Sequence, residues 1–295
     1  MDFASDGSPY ELRTRSLWSD SFRRFRQNRG AVIGLGYVVV VVLAAIAAPL
    51  ITVHDPNLQD IGNALSPPSA RNWFGTDHFG RDIYTRVVYG ARVSLRVGPI
   101  STGIALLMGV PLGLLAAYYL GWVDSVVSRV IDIMLAFPGL LLAMGIMAVL
   151  GPSLTNAMLA TGISMLPRYV RVTRASTLSV KEMDYVTAAR AIGASDLYIV
   201  ARHVFPNVIL PLIVLASLDM AGAILFTAGL SFLGLGAQPP TPDWGGMLAR
   251  ARVYMKEAPW FPFFPGLTMT STILALNMAG DGLRDALDPH LTIKK

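Results

Sequence analysis

Three stretches of this chain carry no charged residue: 31 to 53, 97 to 123 and 258 to 280. A helix needs about 20 such residues to cross a hydrocarbon layer about 30 Å thick, because only a helix satisfies its own backbone where water is absent. Each stretch is long enough. Composition agrees, with 53% hydrophobic and only 15% charged residues and a mean hydropathy of +0.52 over 295 residues. A single soluble domain of that size would need more polar cover. The chain reads as an all-α polytopic membrane protein.

A fourth uncharged run, 133 to 167, is too long for one crossing. Gly151-Pro152-Ser153 interrupts it where a tight turn would sit, which predicts two short helices over 133–150 and 154–172. The second must accommodate Arg168 and Arg171 near one end, where long side chains can snorkel to water. A further span over 208–233 contains Asp219 among apolar residues, giving six transmembrane helices with those at 31–53, 97–123 and 258–280. Gly103, Gly109 and Gly113 with Pro111 give the second span small faces, as Gly222 and Gly229 do the fifth, where another helix can pack closely.

Positive charge sets the orientation. With the N-terminus cytoplasmic, segments 1–30, 124–132, 168–206 and 281–295 lie inside and hold 16 of the 24 Lys and Arg residues. Both termini are then cytoplasmic. The outside loops are 54–96 and 236–257; Arg81, Arg86, Arg92 and Arg96 in the first count against the assignment. The 23 uncharged residues of the first span exceed a signal-peptide core, so it reads as a retained anchor. A net charge of +5 is clustered at membrane edges, which matches anionic membrane lipid and not nucleic acid. With no cysteine, disulfides and thiolate metal sites are excluded.

The outside loops differ in character. The first is turn-rich at Pro56, Pro67 and Pro68 and then amphipathic near Ile83, Val87 and Val88. That predicts either a helix along the outer face with Asp82 and Arg86 paired at i, i+4, or a solvated connector. The second, with Pro239, Pro240, Pro242, Trp244 and Trp260, suits extended segments anchored by aromatics at the interface.

Between the fourth and fifth spans the segment 182–206 turns polar. Val186, Ala189 and Ile192 follow helical spacing, with Glu182, Asp184 and Arg190 on the wet side. Gly193 is placed to end this helix in the left-handed conformation. Ser195 can cap a second helix, in which Leu197, Val200, Ala201 and Val204 form another stripe, and Pro206 marks the return to the bilayer. Small residues at 188, 189, 191 and 194 let a partner approach the backbone. Periodicity alone fits equally an ordinary amphipathic helix lying on the bilayer.

Catalytic and metal chemistry find little support. The four histidines are scattered in loops, and no nucleophile, base and orienter share a spacing. Gly234-Leu-Gly236 follows no predicted strand, so a phosphate loop is disfavoured. Asp281, Asp285 and Asp288 fall on one helical face near His290, where a solvated helix end explains them better than a metal. Asp219 is the acid expected at membrane depth, and is either part of a transport pathway or hydrogen-bonded to a Ser or Thr of a neighbouring span. A proton-coupled secondary transporter would use such a residue, but it normally needs further intramembrane ionisable partners.

The run Tyr185-Val-Thr-Ala-Ala-Arg190, then Gly193 and Pro206, resembles the EAA motif of the permease subunits of bacterial ABC importers. Thr187 stands at the motif's glutamate, and His203 and Phe205 at its late Ile and Leu positions, departures similar to the dipeptide and oligopeptide branch. Further matches to that branch's C-type permease are Phe74-Gly-Thr-Asp77, Gly80-Arg-Asp82, Tyr89-Gly-Ala-Arg92, Leu230 to Gly236, Gln238-Pro-Pro240, Asp243-Trp-Gly245 and Gly280 to Pro289. The resemblance implies a type I importer permease in the bacterial inner membrane. Its cytoplasmic coupling hairpin would dock ATPase subunits through Glu182, Tyr185, Thr187, Ala188, Ala189, Arg190, Gly193, Ala194, Ser195 and Pro206. It implies a second homologous permease, one or two ATPase subunits and an extracytoplasmic solute-binding protein as partners. No Gly-x-x-x-x-Gly-Lys-Ser/Thr is present, so the chain is not expected to be an enzyme, and ATP and Mg are expected in the partner subunits, with no cofactor in this chain. Related systems carry nickel chelates, glutathione or oligosaccharides as well as peptides.

Overall fold

The computed structural model describes residues 17–287, and among them every regular element is helical. Helix α1 (Leu17–Gln27) leads into α2 (Arg29–Ile46), whose free N-terminal amides are met by the Asn28 side chain, accepting from Ala31 N at 3.1 Å. A single turn α3 (Ala48–Ile51) follows, and the chain then loops to 82.

The expected loop helix and the second span form one helix, α4 (Ile83–Tyr119). Its 37 residues run about 55 Å, longer than a hydrocarbon layer about 30 Å thick. Asp82 begins it, accepting from Thr85 N at 2.8 Å. Helix α5 (Gly121–Leu135) covers the expected loop 124–132, and α6 (Gly139–Leu150) leaves it at 95°. No single helix therefore covers 133–150. Pro138 supplies the reason: it disfavours helical backbone at Phe137 and has no N–H to continue the ladder. At about 18 Å, α6 alone falls short of the hydrocarbon thickness.

Gly151, at φ +82°, and Ser153, accepting from Asn156 N at 3.1 Å, separate α6 from α7 (Leu154–Lys181). Beyond α7 come α8 (Asp184–Ala191), the short α9 (Asp196–Ile199), a π turn (Val200–Val204) and α10 (Phe205–Phe232). Helix α11 (Trp244–Ala251) lies in the second outside loop, and α12 (Trp260–Leu287) closes the described chain. By length and composition, α2, α4 and the unit Asp196–Phe232 are apolar enough to span a membrane, and the bent pair α5 and α6 makes a fourth. Helices α7 and α12 have 28 residues each, but three arginines in the first and Thr268, Thr270, Ser271, Thr272 and Asn277 in the second dilute their apolar character.

Helix α4 packs along α7 backbone to backbone. A Cβ on Gly113 would stand 2.6 Å from Thr173 Cβ, and one on Gly109 2.6 Å from Tyr169 Cβ, so these glycines serve contact within the chain. Gly103, Gly222 and Gly229 face open space.

Residues 54–82 fold into a cap with buried charges and not a solvated connector, and the helix expected near Ile83 is present as the first part of α4. Asp77 accepts from Arg81 Nε at 2.7 Å and from the amides of Phe79 and Arg81. Arg86 pairs with Asp77 at 3.7 Å, not with Asp82, because the Asp82 carboxylate is taken by the Thr85 amide and by Asn72 Nδ2 at 2.9 Å. The second outside loop is partly helical, and Trp244 is buried within the subunit, its indole donating to Val87 O at 3.0 Å. Gly234 (φ +84°) terminates α10, with the Leu235 amide reaching back to Leu230 O at 2.9 Å, so Gly234-Leu-Gly236 is a helix end. Asp281 and Asp285 are exposed on α12, while Asp288, Pro289 and His290 lie outside the described residues.

Candidate functional site

The hairpin 182–206 connects the C-terminal end of α7 to the N-terminal end of α10. Glu182 caps α7 and is exposed. The preceding Lys181 donates to the carbonyls of Ala117 at 3.2 Å and Tyr118 at 3.1 Å, placing a cation on the C-terminal end of α4. Within α8, Val186 and Ala189 are buried, whereas Tyr185, Thr187, Ala188 and Arg190 point outward.

The stop after α8 is a Schellman motif. Gly193 has φ +82°, its amide donates to Arg190 O at 3.0 Å, and the Ala194 amide donates to Ala189 O at 3.1 Å. Half-buried Ala194 joins Ala189 in the apolar cluster below. Ser195 begins α9, its hydroxyl accepting from Tyr198 N at 3.4 Å. That cluster is formed by Val186, Ala189, Ile199 and Val204 against Tyr118 of α4, Tyr169 of α7 and Val208 and Leu212 of α10. The Tyr118 hydroxyl adds a 2.7 Å bond to Asp196 Oδ1. The hairpin is thus fastened to three helices.

Three details depart from the periodicity. Ile192 is 85% exposed and Leu197 79% exposed, and Ile199 takes the buried place. Ile192 sits at the cap, where the chain leaves the helical path toward Gly193, and Leu197 stands in the first turn of a four-residue helix too short to define a stripe. The chain makes no sharp return at Pro206. Pro206 occupies the first turn of α10, where its missing N–H breaks no bond; the π turn before it and the Asn207 side chain, donating to His203 O at 2.7 Å, adjust the ladder. The outcome is a surface presenting Met183, Tyr185, Ile192, Leu197 and Tyr198, apolar or aromatic groups held on a fastened base.

Asp219 lies on α10, buried, and its partner is Arg168 of α7, which donates from Nη1 to Oδ1. No Ser or Thr fills that place. Arg168 does not snorkel from a helix end, because α7 continues for a further 13 residues to Lys181. About two helical turns from Asp219 along α10, Thr161 and Thr227 share a buried 2.8 Å hydrogen bond between the same two helices. Inward, Arg171 pairs with Asp132 at 3.0 Å and Arg174 grips Asp124 with two 2.7 Å bonds, tying α5 to α7. These pairings join residues 39 to 51 positions apart, and periodicity carries no sign of them. An acid and a base both standing inside apolar spans was the available signal for the first.

Comparison with known proteins bears on this arrangement. A family model described as the binding-protein-dependent transport system inner membrane component matches residues 109–293, which contain the hairpin and its arms. The chain belongs to that family. A second model, the N-terminal TM domain of oligopeptide transport permease C, matches residues 16–68 of this inner membrane component. The dipeptide transport system permease protein DppC of Alkalihalophilus pseudofirmus is 47% identical, covering 94% of this chain and 91% of its own length. The di/tripeptide transport system permease protein DppC of Pseudomonas aeruginosa is 46% identical, over 98% and 96%. The glutathione transport system permease protein GsiD of Escherichia coli is 43% identical, over 95% and 92%. Among solved structures, an inward facing conformation of the MetNI methionine ABC transporter superposes with a TM-score of 0.57 at 17% identity, over 69% of this chain and 97% of that one. At that identity the likeness is one of fold.

Proposed function

We propose that this inner membrane component forms half of the pathway by which an ATP-driven importer takes up short peptides, and that the 182–206 hairpin is where the ATPase subunits act on it. The observation that carries the proposal is the hairpin's division of labour: a buried face clamped to α4, α7 and α10, and an outward face of unpartnered apolar groups. A partner pushing on such a face moves both arms together. The peptide class follows the dipeptide transport names of the relatives at 46 to 47% identity.

The reading includes six crossings, α2, α4, the bent pair α5 and α6, α7, α10 and α12, with both termini and the hairpin inside. Of the four arginines that count against this orientation, three are held within the subunit, while Arg96 is exposed. Arg81 and Arg86 are buried with Asp77, and Arg92 is spent on the last carbonyls of α2, so none of them offers free charge to the outer surface. The partners are a second permease, one or two ATPase subunits holding ATP and Mg, and a binding protein that meets the outer cap. Reconstitution of this chain with those partners in liposomes tests the proposal. Uptake of a dipeptide that requires both ATP and loaded binding protein is the expected result; uptake driven by a proton gradient without ATPase subunits is the result that ends it.

A further inference from the structure

Arg168 is exposed at a depth where exposure to lipid is costly. Arg168 and Asp219 each stand 14 residues in from the start of their helices, about 21 Å along at 1.5 Å per residue. The Asp219 side chain is only 7% exposed, yet that of Arg168 is 59% exposed. An ionised group at mid-membrane faces a bundle interior or a water-filled cavity, not hydrocarbon. The side of the subunit that carries Arg168 therefore faces the interior of the assembled transporter, as a packed surface or a water-filled cavity.

Two neighbouring features describe that side. On α10, Gly222 and Gly229 fall beside Asp219 on one helical strip and have open space where a Cβ would stand, with Phe226 between them. On α7, Arg171 and Arg174 continue from Arg168 at i+3 and i+6, with side chains 60% and 36% exposed, in steps of about 4.5 Å toward the inner end. Arg174 spends two donors on Asp124, whereas Arg168 and Arg171 each give a single N–H to their acids. A guanidinium carries five donors in a planar fork, so both retain an arm shaped for a further carboxylate.

Resting on the peptide-importer reading above, we propose that Arg168, followed by Arg171, receives the C-terminal carboxylate of a peptide in transit. Asp219 is a positioning residue in this scheme. It holds the Arg168 guanidinium from behind, and by neutralising part of its charge it keeps the carboxylate from being trapped, as a conduit requires of its binding steps.

The test uses the complete reconstituted transporter at saturating loaded binding protein, with Ala-Ala and its C-terminal amide as solutes. Selection by the binding protein is common to wild type and variant and cancels in the ratio of their rates. R168Q is expected to slow uptake of the free acid about tenfold while changing the amide less than about twofold, with R168K between, as suits a charge-assisted fork contact. Rates are referred to the yield of assembled complex, so that lost protein is not counted as lost uptake. Equal losses for the two solutes, no loss for either, or failed assembly of R168Q and R168K alike through a lost contact to the second permease would overturn the proposal. If the wild-type complex hydrolyses ATP but takes up neither solute, the peptide reading itself fails, a result distinct from uptake that ignores residue 168.

Discussion

The Tyr118 hydroxyl donates to Asp196 Oδ1 across 2.7 Å, joining the C-terminal end of α4 to the second limb of the hairpin, while Lys181, the last residue of α7 before the first limb, holds the carbonyls next to it. The end of one transmembrane helix is thereby gripped twice. Removing the hydroxyl with Tyr118→Phe keeps the ring in the apolar cluster and deletes a bond to a charged acceptor, a loss of about 1 kcal/mol. The variant is expected to insert and assemble normally and to hydrolyse ATP with less solute moved per nucleotide. Parallel assays of uptake and hydrolysis in proteoliposomes measure this; an unchanged ratio would show the bond to be dispensable.

Gly193 separates two effects that other positions confound. Its Cβ would stand in open space, so Gly193→Ala meets only the cost of φ +82° for an L-residue, about 1 kcal/mol. Gly193→Trp adds bulk on the docking side. The alanine variant is expected to transport at near wild-type rates and the tryptophan variant to be membrane-inserted but uncoupled. Normal uptake by a stably inserted Gly193→Trp variant would speak against docking at this face.

His78 makes the outer cap sensitive to acid. Burial holds its pKa below the usual 6.5, opposed by Asp77 and assisted by Arg81, Arg250 and Arg86. The folded cap therefore resists a proton that the unfolded chain accepts. The stability this provides is complete above about pH 6.5 and declines as the pH drops from there toward the lowered value. The ring stacks on Tyr254 at 5.3 Å and Phe261 at 5.8 Å, so His78→Phe retains the packing and removes the titration. Melting temperatures at pH 7.5 and pH 5.5 should fall further apart for the wild type than for the variant. Identical differences would exclude this histidine as the cause.

Gly80 is the tightest point of the cap. At φ +73°, a Cβ there would lie 1.7 Å from Asp60 O, an overlap that only backbone movement relieves, so Gly80→Ala should cost more than about 3 kcal/mol locally. Basal ATP hydrolysis by the assembled complex is expected to persist while stimulation by the binding protein is lost. Retained stimulation would mean that the binding protein does not rely on this cap.

Much of the fold was legible wherever the signal is local. Uncharged runs mark helices because the bilayer leaves the backbone no other partner, and Gly193 and Ser195 mark the hairpin's caps because a cap depends on one residue's backbone and side chain. The break at Phe137 was also written locally, in Pro138, but it was hidden within a run of otherwise uniform hydropathy. Leu197 and Ile192 illustrate different limits: a four-residue helix has no period from which a buried face can be read, and Ile192 stands at a cap where the chain leaves the helical path. The ion pairs of Arg168 with Asp219 and Arg174 with Asp124, and the burial of Arg86 against Asp77, depend on which helices become neighbours, and spacing along one chain does not contain that.

The central claim is that the hairpin faces inward and receives its push there. The chain has no cysteine, so Leu197→Cys introduces a single thiol, on an exposed residue of the docking side. A membrane-impermeant maleimide applied to intact cells should leave it unlabelled, label it after permeabilisation, and be blocked when the ATPase subunits are bound. Labelling of Leu197→Cys from outside intact cells would contradict the account.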